Sequence, residues 1–184
     1  MRGAPGKLNL FAILRGGDRR SIGRVPEVVA AVLADPTLFG ELFEGIMVED
    51  PVVAMRCADA AEKVSVTRPD LLRPFKRALL GALAAHHQQE VQWHVAQMLP
   101  RLELTARERA RALAILDRYL ASPSSIVKTF AMQAMAELSD QAPSLRPRVV
   151  RRLRHLTETG TPAMRSRGRR LLDRLGSHRP SKHR

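Results

Sequence analysis

Apolar residues recur along the chain with the spacing of an α-helix. Four fifteen-residue windows align without gaps, and their starts are 38, 36 and 37 residues apart. In each window, positions 4, 8, 11, 12 and 15 are apolar or small, which is one stripe of a helix with 3.6 residues per turn. The windows are DPVVAMRCADAAEKV (50–64), QQEVQWHVAQMLPRL (88–102), SSIVKTFAMQAMAEL (124–138) and TPAMRSRGRRLLDRL (161–175).

Further helical stretches lie between these windows, at 36–47, 69–86, 105–122 and 143–159. Their ends carry helix signals: Asp35-Pro36 and Thr105 are typical starts, and Gly160-Thr161-Pro162 ends one helix and begins the next. A pair of such helices cannot bury its apolar stripe alone, so the pairs are expected to stack on one another. Residues 24–34 predict the second helix of a truncated first unit, and LNLFAILR predicts a short N-terminal capping helix.

The windows resemble the inner helix of HEAT-like repeats, which belong to the armadillo/HEAT superfamily. DPVVAMRCADAAEKV is the nearest match, with its Asp-Pro, Val, small residue and final apolar residue. It departs from the family where an Arg often follows the Val, because Ala54 and Gln92 stand there, while Lys128 and Arg165 keep a base. The resemblance covers residues 24–175 and implies an all-α fold, a right-handed α-solenoid of about four repeats plus a truncated N-terminal unit.

Three segments follow from this reading. Residues 1–23 are predicted to be an N-terminal tail with a short capping helix, 24–175 the HEAT-like repeat domain, and 176–184 a basic disordered tail. Proteins of this kind mostly bind other proteins, sometimes bind nucleic acid and rarely catalyse, so the fold by itself is weak evidence for function.

Composition agrees with close-packed helices. Aromatic residues make up only 4% of the chain against 45% for all hydrophobic types, so Leu, Val, Ala and Met must build the core. Cys57 is the only cysteine, which excludes an intramolecular disulfide and argues against a thiolate metal site. No apolar run is long enough to span a bilayer and no cleavage site follows the first one, so we expect a cytoplasmic protein without a membrane partner.

The charge is concentrated toward one end of the sequence. Of a net charge of +13, residues 1–140 contribute +2, with 18 Lys and Arg against 16 Asp and Glu. Residues 141–184 hold 13 Lys and Arg against only Glu158 and Asp173. Such a segment can bind an anionic partner, or it can be a solvated terminal face with a basic tail. The sequence leaves both readings open.

A candidate binding surface follows from helical geometry. In HEAT-like arrays the second helix of each pair lines the concave side, and positions 6, 10 and 14 of each window lie opposite the core stripe. Trp93 at this surface is either an aromatic anchor for a ligand or a ring lying flat over the neighbouring helix. His94, at the edge of the stripe, is predicted to be a hydrogen-bonded structural residue. The predicted surface consists of Met55, Trp93, Gln97, Arg101, Thr129 and Gln133.

The leading functional hypothesis is a non-enzymatic scaffold that binds a protein partner or peptide segment on this concave face. Arginines of the last window would then pair with its acidic groups: Arg165, Arg167, Arg169, Arg170 and Arg174. The alternative is nucleic-acid binding through the C-terminal repeats, whose preceding helix offers Arg146, Arg148, Arg151, Arg152 and Arg154.

An enzymatic reading ranks third. Some HEAT-like proteins resemble DNA glycosylases that act on alkylated purines, and Asp59 or Glu137 would then be the carboxylate, with Trp93 stacking on the base. The surroundings of Asp59 contain little positive charge, which disfavours this reading. No catalytic residue, cofactor or metal site is therefore predicted.

Overall fold

The computed structural model describes residues 8–16 and 21–177, and in these ranges the chain is all-α and contains no strand. The all-α prediction is thus confirmed. Within the same ranges, no helix combines the length and the apolar character needed to cross a bilayer. The α-helices are α1 (Leu10–Leu14), α2 (Val25–Ala34), α3 (Phe39–Glu44), α4 (Pro51–Thr67), α5 (Lys76–Leu79), α6 (Gln89–Met98), α7 (Ala106–Tyr119), α8 (Ser125–Gln141), α9 (Arg146–Thr159) and α10 (Pro162–Ser177).

Most of the predicted helix signals operate as capping groups. The Asp35 carboxylate accepts a hydrogen bond from the Thr37 amide at 3.1 Å. The Thr105 hydroxyl accepts one from the Glu108 amide, and the Glu108 carboxylate accepts one from the Thr105 amide, so the two form a capping box at the start of α7. Gly160 lies between α9 and α10 as predicted. Of the predicted N-terminal segment 1–23, residues 1–7 and 17–20 lie outside the described residues, and so do residues 178–184 of the predicted tail 176–184. Gly176 and Ser177, predicted to lie in that tail, belong to α10.

The prediction of one continuous helix over 69–86 is wrong, because the backbone hydrogen bonds of this segment do not follow one α-helical pattern. This segment consists of a 3₁₀ turn at Pro69–Phe75, the four-residue helix α5 and a second 3₁₀ turn at Leu83–Ala85. Pro74 lies inside the first turn, where its ring removes an amide donor and obstructs a regular α-helix. The apolar spacing was therefore correct for helical turns, but it did not reveal the break.

The chain divides into two compact units, one within residues 1–71 and the other within 72–184. In the first unit, α1, α2 and α3 all pack against α4. Every residue from 53 to 62 of α4 is buried. Met55, predicted to face a ligand, is only 7% exposed, because α4 is enclosed on nearly all sides rather than along one stripe. This placement of Met55 differs from the sequence-based expectation.

A buried arginine joins α4 to the N-terminal segment of the first unit. Arg56 is 2% exposed, and its guanidinium donates to the carbonyl oxygens of Leu14 at 2.7 Å and Ser21 at 3.0 and 3.1 Å. It also donates to the carbonyl oxygen of Gly16. A planar group with five N–H donors suits such a set of carbonyl acceptors, which belong to residues outside regular helix hydrogen bonding.

At two positions in the first unit, neighbouring side chains lie so close to the backbone that only glycine fits. Gly23 has a φ of +55°, and a Cβ there would lie 2.9 Å from Cζ of Arg56. At Gly45, a Cβ would lie 2.5 Å from both Sγ of Cys57 and Cε1 of Phe11. Cys57 is fully buried beside this contact, and its burial raises the pKa of the thiol to about 12. The thiol therefore acts as a small apolar group in the core.

In the second unit, α6, α7, α9 and α10 all pack against α8. The stripe positions predicted to form the core are buried in α6, α8 and α10, with a single exception. Leu172 is half-buried, because no further helix among the described residues follows α10 to cover it. The stripe prediction is otherwise confirmed in both units, including all five positions on α4.

Replacement of Arg56 tests whether its hydrogen bonds to the N-terminal segment stabilise the first unit. Arg56→Leu would leave several carbonyl oxygens without their donor, so we expect the free energy of unfolding to fall by roughly 2–3 kcal/mol. Urea denaturation followed by far-ultraviolet circular dichroism would measure it. Arg24→Leu is the matched control, since Arg24 forms only an exposed ion pair with Glu27 at 2.7 Å. Equal midpoints for the two variants would contradict the structural role of Arg56.

The capping box predicts a defined pH dependence. Two neighbours lower the pKa of Glu108 to about 2: the Thr105 amide, which donates a hydrogen bond to the carboxylate, and Lys76, whose Nζ lies 2.9 Å from Oε1 of Glu108. A carboxyl group whose pKa is depressed by folding stabilises the protein above its ordinary pKa, and this contribution disappears as the pH falls through the folded value. Glu108→Gln should therefore lower the Tm above about pH 5, and the difference from the parent protein should shrink between about pH 4.5 and 2.

Thermal melts at a series of pH values would check this expectation. Glu158→Gln, on the exposed side of α9, is the control and should leave the Tm unchanged throughout. A constant difference between Glu108→Gln and the parent protein down to about pH 2 would show that the carboxylate charge is not responsible.

Candidate binding surface

Two helices of the second unit carry the predicted surface residues on the side opposite their core stripes. On α6 and the 3₁₀ turn that follows it, Trp93, Gln97 and Arg101 are half-buried, and on α8 the same holds for Thr129, Gln133 and Glu137. Equivalent window positions on α10 are Arg170 and Arg174. Because α6 and α10 both pack against α8, these residues belong to one layer of helices. We call the set of eight residues the repeat face.

Trp93 and His94 form a hydrogen-bonded pair. The indole N–H of Trp93 donates to Nε2 of His94 at 2.9 Å, and their rings meet edge to face with centroids 5.6 Å apart. His94 is only 8% exposed, which agrees with a structural role. Since Nε2 accepts this bond, its lone pair does not face a ligand as a general base would. Trp93 has used its one polar atom, so its remaining contribution to binding is its ring surface.

Polar side chains link α8 to α10 along this surface. Gln133 donates to Oε1 of Glu137 at 2.6 Å, and Nη1 of Arg167 donates to Oε1 of Gln133 at 3.0 Å. Arg174 pairs with Asp140 at 3.2 Å, and Asp140 also pairs with Arg146 of α9 at 3.2 Å. Part of the C-terminal positive charge is thus engaged in holding neighbouring helices together.

The five arginines of the last window, predicted to pair with acidic groups, do not form one cluster. Arg165 and Arg170 are five residues apart, which separates them by about 140° around a helix. Arg170 and Arg174 lie on the same side of α10 as Arg167, which contacts α8, whereas Arg165 and Arg169 lie on the other flank. Arg165, Arg169 and Arg170 are all exposed, and none of them forms an ion pair with a described residue.

The arginines of α9 divide in a similar way. Arg148 and Arg152 pair with Asp117 of α7 at 3.1 and 3.3 Å. Arg151 and Arg154 are exposed and form no ion pair within the described part of the chain. A count of charged residues could not separate these two groups, because their partners come from α7, some thirty residues earlier in the sequence.

The carboxylates considered for catalysis are engaged in side-chain contacts. Asp59 is buried at 7% exposed and pairs with Lys63 one turn later on α4. Glu137 accepts the hydrogen bond from Gln133 on α8. His86 and His87 stack with ring centroids 5.0 Å apart, and burial together with the neighbouring His87 lowers the pKa of His86.

Comparison with known proteins adds no family assignment: neither the family models nor the curated proteins contain a match to this chain. The distribution of charge between the two units is then the broadest functional indication. Residues 1–71 hold 9 Lys and Arg against 10 Asp and Glu, whereas residues 72–184 hold 22 against 8. The basic character of the protein therefore belongs to the second unit, which also carries the repeat face.

Proposed function

We propose that the chain is a non-enzymatic binding scaffold of the HEAT-like type, a right-handed α-solenoid of about four repeats after a truncated N-terminal unit. In the second unit, α6, α8 and α10 would be the inner helices of successive hairpins. The supporting observation is that these three helices carry the same buried stripe at nearly constant spacing, while α6 and α10 both pack against α8. Stacking of this kind is how repeat proteins bury a continuous core.

The ligand that suits the repeat face is an acidic segment of a protein partner. The observation that carries this proposal is the change along the face from an indole and amide side chains on α6 and α8 to guanidinium groups on α10. Gln97 and Thr129 offer hydrogen bonds to an extended peptide, and Trp93 offers one aromatic contact of the type that dominates binding energies. The exposed Arg170 can pair with an acidic side chain.

Binding of poly-L-glutamate, a model for an acidic segment, tests this proposal. Trp93 is the only tryptophan, so its emission reports directly on the repeat face. We expect a saturable change in emission at low salt and about tenfold weaker binding for Arg170→Gln, which loses a charge-assisted contact. The matched control is Arg165→Gln, which removes the same charge from the other flank of α10 and should bind like the parent protein.

Two results would contradict the proposal. The first is equal weakening by Arg170→Gln and Arg165→Gln, which indicates attraction by net charge without a defined surface. The second is an unchanged Trp93 emission while binding is detected by another method, which places the ligand elsewhere on the protein.

Nucleic-acid binding is the second candidate, and a different observation favours it. Arg151 and Arg154 of α9 and Arg165 and Arg169 of α10 are exposed outside the repeat face, and they form no ion pair within the described residues. Arginines that are not neutralised by neighbouring carboxylates can contact phosphates and release condensed counterions. The same arginines also give a terminal repeat the polar outer face that it needs in water.

Salt titration of duplex DNA binding tests this candidate. Fluorescence anisotropy with labelled duplex should give an affinity that falls steeply with salt, with a slope of about −0.9 for each phosphate contact. The double variant Arg165→Gln/Arg169→Gln should make the slope shallower by about two, since each lost contact removes about one unit. Binding that is insensitive to salt, or a slope unaltered in the double variant, would argue against these arginines as a phosphate-contacting surface.

A further inference from the structure

A cleft of about 640 Å³ opens between the outer helices α7 and α9 of the second unit. This volume lies within the usual range for small-molecule sites. Three apolar side chains, each 2% exposed, contribute to its lining: Leu113 of α7, Met135 of α8 and Val149 of α9. Charged and titratable side chains complete the lining: Asp117, Arg148, Arg151, Arg152 and His155. The cleft therefore combines an apolar base with a basic rim.

Asp117 holds two of the three arginines in position. Its Oδ2 lies 3.1 Å from Nη2 of Arg148, and its Oδ1 lies 3.3 Å from Nε of Arg152. Each guanidinium group has five N–H donors. Arg148 donates one hydrogen bond, to Asp117, and Arg152 donates none within the described part of the chain. The ion pairs thus orient both groups and leave most of their donors available to a ligand.

Arg151 adds a third guanidinium group to the cleft without any described ion pair or hydrogen bond. The three arginines and one aspartate of the lining together carry a net charge of +2. A ligand with two negative charges would balance this excess. A carboxylate carries only one, whereas a phosphomonoester is largely a dianion at neutral pH and has three acceptor oxygens.

We propose that the cleft between α7 and α9 binds a phosphomonoester that carries a small apolar group. The phosphate oxygens would accept hydrogen bonds from Arg148, Arg151 and Arg152, since the guanidinium fork matches phosphate geometry. The apolar group would lie against Leu113, Met135 and Val149. This cleft shares no residue with the repeat face, so this proposal can be tested independently of the proposed scaffold function.

Titration with phenyl phosphate at pH 7.5 is the direct test, because this probe has both the dianion and an apolar ring. The methyl group of Met135 can be followed by NMR, and we expect its resonance to shift in a saturable manner. Benzoate, with one charge, and inorganic phosphate, without the ring, should each bind at least about tenfold more weakly. No shift of Met135 with phenyl phosphate, or equally tight binding of benzoate, would overturn the proposal.

A pair of α9 variants locates the site. Arg151→Gln removes a guanidinium group from the cleft lining and should weaken phenyl phosphate binding about tenfold. Arg154→Gln removes the same charge three residues later, from an exposed side chain outside the lining, and should change the affinity less than about twofold. Neither side chain has a described partner to lose, so both variants should keep the parent Tm. Equal weakening by both variants would overturn the proposal, because it would show attraction by net charge alone.

Discussion

Burial of one apolar stripe per window is the constraint on which the other features of the second unit depend. The stripe positions of α6 and α8 are all buried, and those of α10 are buried except Leu172. Because these residues must face the core, helical geometry places Trp93, Gln133 and Arg170 on the opposite side of their helices. In the same unit α7 and α9 both pack against α8, and a cleft lies between them.

Carboxylates of α7 and α8 pair with several arginines of α9 and α10 and orient their guanidinium groups. Asp117 engages Arg148 and Arg152, and Asp140 engages Arg146 and Arg174, so two acidic residues hold four basic ones. Partly exposed ion pairs such as these add little to stability. Their larger effect is positional, since they orient guanidinium groups at the α7–α9 cleft and at the junction of α8 with α10. The proposed phosphate-binding site uses two of the arginines that Asp117 orients, Arg148 and Arg152.

Arg56 shows a different use of the same residue type. In the first unit the guanidinium is buried and donates to backbone carbonyls of the N-terminal segment. These carbonyls thereby gain the hydrogen-bond donors that a regular helix would otherwise supply. From the helical spacing of apolar residues, an arginine would be expected to face solvent, because arginine is seldom fully buried. Both Arg56 and Met55 lie in the stretch of α4 in which every residue is buried.

The sequence by itself determined the helical class, the core stripes, the cap at Thr105 and the break at Gly160, because each depends on residues within one or two turns of each other. It also placed Trp93 and Gln97 on the side of α6 opposite the core. Only the tertiary structure decided that α4 is buried on nearly all sides, that Asp117 pairs with arginines of α9, and that α7 and α9 enclose a cleft. These features involve residues about thirty or more positions apart, or they depend on how helices pack. The local spacing of apolar residues does not predict which distant residues become neighbours.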